Sequence, residues 1–277
     1  MIDKTCEAAG DYNFEGTLAA TPVITAIKAN NIANPNLENR WNLIGNPFPT
    51  YLNINTFLDI NAASLKDTHE SIYVWNANAG ETGNYQSLTT GYIHPGQGFF
   101  VNSDVDSTSV SFTKEMQSSQ NGITLYRSSK PKITLLVSND KETKSTEINF
   151  SDHKTLGLDP GFDVGTFTGQ SSNFSLYTHL VFGDNGVDFI KQSLPTSALG
   201  NTIIPIGIYA KANEEIKFNA INSNLPKGIK VFLEDRLTKK ITDLNEKSST
   251  YTIKLIDDLN GIGRFYLHTS QKALNIQ

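Results

Sequence analysis

Short apolar runs with a period of two dominate the second half of the chain. Ile133, Leu135 and Val137 share one face of KITLLV, and Ile148 and Phe150 share one face of TEINF. The same alternation places Ile229, Val231 and Leu233 together in GIKVFLED, Tyr251, Ile253 and Leu255 in YTIKL, and Phe265 and Leu267 in RFYLH. Val110 and Phe112 repeat it in SVSFT, whereas SIYVWN is apolar on both faces, Ile72 and Val74 against Tyr73 and Trp75. Successive strand side chains point to opposite faces, so the first kind of run predicts a half-buried strand and the second a strand covered on both sides. Gly, Asn, Asp or Pro closes nearly every run. The expected fold is all-β, with two β-sandwich-like, jelly-roll-type domains in tandem. One short helix is expected over residues 56–67, where Phe57, Ile60 and Leu65 could form an apolar face. The polar, Ser-rich segment QSSQNGITLYRSSKPK, residues 117–132, marks the boundary between domains spanning 1–120 and 130–277.

At 277 residues the chain is long enough for two such cores. Only 18% of residues are charged against 38% apolar, so neutral polar side chains carry solubility, a balance suited to an extracellular or cell-surface β protein. The net charge is −5, and the 23 Lys and Arg residues form no basic stripe, which argues against nucleic acid as a partner. No stretch reaches the roughly 20 apolar residues of a membrane helix, so no membrane insertion is expected. The start MIDKTCEAAG, which has neither a basic nor an apolar export region, reads as the edge of a piece of a longer protein. Cys6 at that edge reads as a free thiol or as one half of a disulfide to an upstream partner.

The chemistry-bearing residues point away from catalysis. No zinc-protease, nucleophile-elbow, P-loop or paired-cysteine motif is present, and no catalytic residue, metal ligand or cofactor is assigned. His69, His94, His153, His179 and His268 lack the spacing of a metal site and read as surface or strand residues. The adjacent pairs Glu214-Glu215 and Asp257-Asp258 read as solvated turns, and Asp159-Pro160-Gly161 as a tight loop. In HPGQGFFV, Gly96 and Gly98 predict a tight bend ahead of a strand. Asn76, Asn78, Glu81 and Asn84 crowd one loop, but their spacing fits a hairpin turn better than a calcium loop. That loop also carries Trp75 and Tyr85, and an aromatic platform beside the amides of Asn76 and Asn78 is a sugar-binding arrangement. Its rival is that Trp75 belongs to a core. In WNLIGNPFPTYLNINTF, residues 41–57, Trp41, Leu43 and Ile44 predict a strand entering a core. The prolines flanking Phe48 set a rigid corner, with Phe48 packed inward rather than on a ligand.

Taken together, WNLIGNPFP, YVWN, GYIHPGQGFFV and VSFTKEM resemble the repeated "WNLIGNPYPS … YVWN … PGQGFFV" signature of secreted surface proteins of the Bacteroidetes. FDVGTF resembles the "YD..YDA" element of those proteins. KVFLEDRLTKKITDLNEKSSTYTIKL with GRFYLH resembles the "LeD … Y.F … RF.LH" segment that stands before their type IX sorting domain. The resemblance runs from about residue 11 to residue 268, departing at Phe162, where a Tyr is usual, and at Lys114-Glu115-Met116, which no Arg follows. It implies a non-catalytic stalk, spacer or adhesin module at the cell surface or in the medium. The partners it implies are the upstream domains of the same polypeptide and the type IX export machinery, engaged through a sorting domain that this chain lacks. Asp106-Ser107-Thr108 matches the short O-glycosylation site of these bacteria, with Ser107 as the candidate acceptor. A carbohydrate-binding module centred on Trp75, with surface glycans as partners, is the alternative.

Overall fold

A computed structural model describes residues 22–29, 40–76, 84–119, 130–168, 173–272 and 274. Cys6, Asn78 and Glu81 lie outside them. The fold is all-β and divides into two compact units, residues 1–66, 71–74 and 87–124 in one and 67–70, 75–86 and 125–277 in the other.

The first unit is built from short strands: β1 (Val23–Ile27), β2 (Trp41–Gly45), β3 (Tyr51–Asn53), β4 (Ile72–Asn76), β5 (Asn84–Leu88), β6 (Tyr92–Ile93), β7 (Gly98–Asn102), β8 (Thr108–Phe112) and β9 (Gln117–Ser118). They pair as β1-β8, as β2-β7-β4-β5 and as β6-β3-β9. The ends of β4 and β5 at Trp75, Asn76 and 84–86 belong to the second unit. One core gathers Ile44, Phe48, Leu52, Phe57, Phe99 and Phe112. The helix α1 runs Ile54–Asn61, not 56–67, because the side chain of Asn53 accepts a hydrogen bond from Thr56 N and caps it two residues early. Its buried face is Ile54, Phe57, Leu58 and Asn61, which leaves Ile60 exposed and Leu65 outside the helix. The Asn61 amide exchanges hydrogen bonds with both backbone groups of Ser111, tying α1 to β8.

The Pro47-Phe48-Pro49 corner is organised by Asn46. Its buried side chain accepts from Phe48 N at 3.0 Å and donates to the carbonyls of Thr50, Ile93 and His94. Phe48 is thereby turned into the core, edge-on to Phe112. Of the strand residues before it, Ile44 is buried but Leu43 is 47% exposed, because neighbours in a strand face opposite ways. The bend ahead of β7 is a turn closed by Gln97 N on His94 O, with Gly96 at φ +69°, a left-handed conformation that glycine adopts without strain.

The second unit holds β10 (Lys132–Ser138), β11 (Thr143–Phe150), β12 (Val164–Gly165), β13 (Ser175–Thr178), β14 (Phe189–Leu194), β15 (Asn201–Ala210), β16 (Glu215–Ser223), β17 (Lys230–Asp235), β18 (Lys240–Asp243), β19 (Tyr251–Lys254) and β20 (Leu259–Ser270). They form one sheet in the order β18-β17-β20-β15-β13-β14-β11-β10-β16-β19, with β12 beside β14. Alternation along β10 buries Ile133, Leu135 and Val137 and places half-buried Thr134 and Leu136 on the opposite face. The inward residues of all the long strands join a single cluster. An open sheet of this width could not gather both its ends round one core, so the sheet curls on itself. Phe218 of β16 meets Phe265 of β20 at 4.9 Å, although five strands lie between them along the sheet. At the seam, Tyr251 of the terminal strand β19 hydrogen-bonds Asp235 of β17, and Lys240 of the opposite terminal strand β18 lies over the Tyr251 ring. Side chains, rather than a backbone ladder, bring the two edges together.

Candidate functional site

Trp75 ends the apolar run of β4. Ile72, Tyr73 and Val74 are buried, but Trp75 is 49% exposed, so the rival reading that buries it in a core does not hold. The Tyr85 ring stands edge-on to the indole at 5.1 Å and 68°. Tyr85 in turn stacks on Phe167 at 4.0 Å. Phe167 closes the FDVGTF segment, so two distant motifs meet in one array of rings. Asn76 follows half-buried, while Asn78 lies outside the described residues.

The FDVGTF segment is itself held from beneath. Asp163 is fully buried and accepts from Asp159 N at 2.7 Å and Ser193 N at 2.6 Å. Burial pushes its carboxyl up to about 7, against the pull of those two hydrogen bonds. At Gly165 a side chain has no room: a Cβ would sit 2.4 Å from Nε2 of His69. His69 Nε2 faces the carbonyl of Thr166, which only accepts, so the ring donates there, and its Nδ1 lies 2.8 Å from Thr68 Oγ1. His69 is therefore a buried structural residue and not a surface one. Phe162, at the position where a Tyr was expected, is half-exposed beneath the ammonium of Lys154, 3.0 Å from its centroid.

Two further clusters escaped the sequence reading. His179, also buried rather than on the surface, places Nδ1 2.9 Å from Asp184 and Nε2 3.0 Å from Asp188. Serving two carboxylates takes a proton on each ring nitrogen, the imidazolium form. Burial opposes that charge, but the hydrogen bonds His179 donates to Asp184 and Asp188 outweigh it and raise the His179 pKa above its ordinary 6.5. The second cluster is the seam. Asp235, 1% exposed, accepts from Arg264 Nε and Nη2 at 3.1 and 2.8 Å, from Tyr251 Oη at 2.7 Å and from the amides of Leu237 and Thr238. Burial works to raise its pKa, yet Arg264, Tyr251 and the Thr238 amide bring it below the ordinary carboxylate value. Beside it, Glu234 receives His268 at 2.8 Å. Leu233, Glu234, Asp235, Tyr251, Arg264, Phe265 and His268 are thus one structural assembly.

Ser107 lies exposed between β7 and β8 with φ 58°, and Asp257 and Asp258 are exposed. Among the described residues no group of three or more His, Cys, Asp and Glu is arranged to hold a metal, and no helix is long and apolar enough to cross a membrane.

With this geometry in place, comparison with protein families gives one match: the domain of unknown function DUF8693, over residues 74–268. The chain belongs to this family. The DUF8693 region opens at Val74, one residue before the exposed indole, and ends at His268 in the seam assembly. It therefore contains the ring array, the His179 cluster and every polar residue of the seam. No curated protein and no solved structure matches the chain.

Proposed function

We propose that this chain is a non-catalytic structural module, a stalk or spacer of two β units within a larger extracellular surface protein exported by a type IX system. The observation that carries this reading is the seam. The "LeD … Y … RF.LH" segment has the polar residues one would first suspect of chemistry, and they are consumed in structure: Arg264 of β20 binds Asp235 of the adjacent β17, and Tyr251 of β19 reaches the same carboxylate from the other end of the sheet. A carboxylate saturated by a bidentate guanidinium, a phenol and two amides has no capacity left for a substrate. The Asn46 corner makes the same use of the WNLIGNPFP motif. Export and surface location rest on the resemblance of these motifs to type IX cargo.

Replacing residues 74–268 of the full-length protein, in its own bacterium, with an unrelated β-sandwich of similar length tests this. A spacer tolerates the exchange, with surface display and the activity of the upstream region retained. Loss of the activity with display intact overturns the spacer reading. A strain without the type IX translocon is expected to keep the protein off the surface, and display in that strain overturns the export route.

A further inference from the structure

The ring array in the second unit does something the seam and the corner do not: it presents aromatic surface to solvent while holding it still. A lone exposed apolar residue is ordinary. Trp75 differs in that its ring is braced edge-on by Tyr85 at 5.1 Å, and Tyr85 is fixed by stacking on Phe167 at 4.0 Å. Phe167 in turn belongs to a segment anchored by buried Asp163 and by the His69 ring under Gly165. The half-exposed indole is thus supported through two layers of side chains and loses little freedom when something stacks on it.

We propose that Trp75, backed by Tyr85 and Phe167, is a carbohydrate-binding ledge for neutral pyranose residues of a glycan. The indole offers a flat apolar surface that matches the C–H face of a pyranose ring, while the ligand's equatorial hydroxyls stay in water. None of Trp75, Asn76, Tyr85 and Phe167 carries a charge, and the net charge of −5 repels an acidic polysaccharide. An apolar peptide is the less suitable occupant, because of the three rings only Trp75 is exposed while Tyr85 and Phe167 are half-buried, a single-ring surface too narrow for several peptide side chains. One stacked ring gives weak binding, so affinity grows through repeated contact along a polysaccharide or between neighbouring copies on a surface. This inference goes beyond the spacer role and does not depend on it.

Trp41 and Trp75 are the two tryptophans, so Trp41→Phe leaves the ledge as the sole indole reporter. That variant is titrated with cellohexaose, laminarihexaose, mannohexaose and isomaltohexaose, with polygalacturonate and an amphipathic Leu-rich peptide alongside. Saturable indole fluorescence changes with at least one neutral hexasaccharide are expected. By isothermal titration, binding to the otherwise unchanged chain should fall about tenfold or more on Trp75→Ala, and less on Trp75→Phe. Because the indole is half-exposed, Trp75→Ala should leave the unfolding midpoint nearly unchanged, which separates loss of binding from loss of fold. Silence toward all four neutral probes overturns the proposal. So does binding that survives Trp75→Ala, or binding confined to polygalacturonate or the peptide.

Discussion

Two carboxylate clusters of the second unit look alike on paper and differ in what they can sense. At the seam, Asp235 is paired with an arginine whose charge is permanent across the physiological range. At the head of the β13–β14 connection, Asp184 and Asp188 are paired with a histidine whose charge is conditional. The difference extends to burial. Asp235 is almost wholly enclosed, whereas the Asp184 and Asp188 side chains remain 38% and 41% exposed. A permanent, desolvated pair fixes architecture, and a conditional, half-wetted one sets how firmly a single connection is held.

The seam should show the largest effect. Arg264→Met leaves the Asp235 carboxylate buried without its cation and should cost about 3–5 kcal/mol in equilibrium unfolding by denaturant. Adding Asp235→Asn removes the orphaned charge while keeping an acceptor for the Leu237 and Thr238 amides, and should restore about half of that loss. A single variant as stable as the parent would show that the seam does not close the sheet.

The histidine cluster should respond less, and at the other end of the pH scale. For His179 the folded pKa is raised, so its contribution is complete below its ordinary 6.5 and fades as pH rises through the folded value. For Asp235 the folded pKa is lowered, so its contribution is present above its ordinary 3.8 and fades as pH falls through the folded value. Asp163 acts in the same sense as His179, since a carboxyl raised to about 7 also favours the folded state on the acid side. His179→Gln should cost about 1 kcal/mol near pH 6, discounted for the exposure of the two carboxylates, and almost nothing near pH 9. Denaturant midpoints of the parent and of His179→Gln and Asp163→Asn, measured across this range, separate the two contributions. A His179→Gln effect that does not shrink with pH would mean the ring is not charged in the fold.

Much of the architecture was legible in the alternation. Ile133, Leu135 and Val137, Ile148 and Phe150, and Phe265 and Leu267 are all buried as their period predicts. What stayed hidden depends on closure in space. Asp235, Tyr251 and Arg264 stand out in the chain only as members of one resembling segment; that Arg264 meets Asp235 follows from the pairing of β17 with β20, and that Tyr251 joins them follows from a sheet whose two ends come together. His179 escaped because histidines were weighed against other histidines, while its partners are carboxylates five and nine residues on, in the middle and at the far end of the connection that His179 opens. Trp75 was left between a sugar platform and a core packed beside Ile72, Tyr73 and Val74, because a periodic pattern contains no mark of where along a strand burial stops. The helix was misplaced by two residues at its start because an apolar face was sought before the Asn53 cap that begins it.

The smallest effect is the one that best resolves the conditional cluster. Asp184 and Asp188 sit at similar distances from His179, yet their pKa values move in opposite directions. Burial raises both in part, but the His179 hydrogen bond and the Gly186 amide bring Asp184 below its ordinary value, while at Asp188 desolvation, with the added repulsion of Asp184, outweighs the hydrogen bond to His179 and keeps it above. Ionisation is thus favoured at Asp184 and disfavoured at Asp188. Asp184→Asn should therefore cost a few tenths of a kcal/mol up to about 1, and Asp188→Asn less than that. In double-mutant cycles with His179→Gln, the coupling should be larger for Asp184 than for Asp188. The reverse order would mean that the β14 end of the connection, not its middle, anchors the histidine, and that the cluster is a second fixed seam rather than a conditional one.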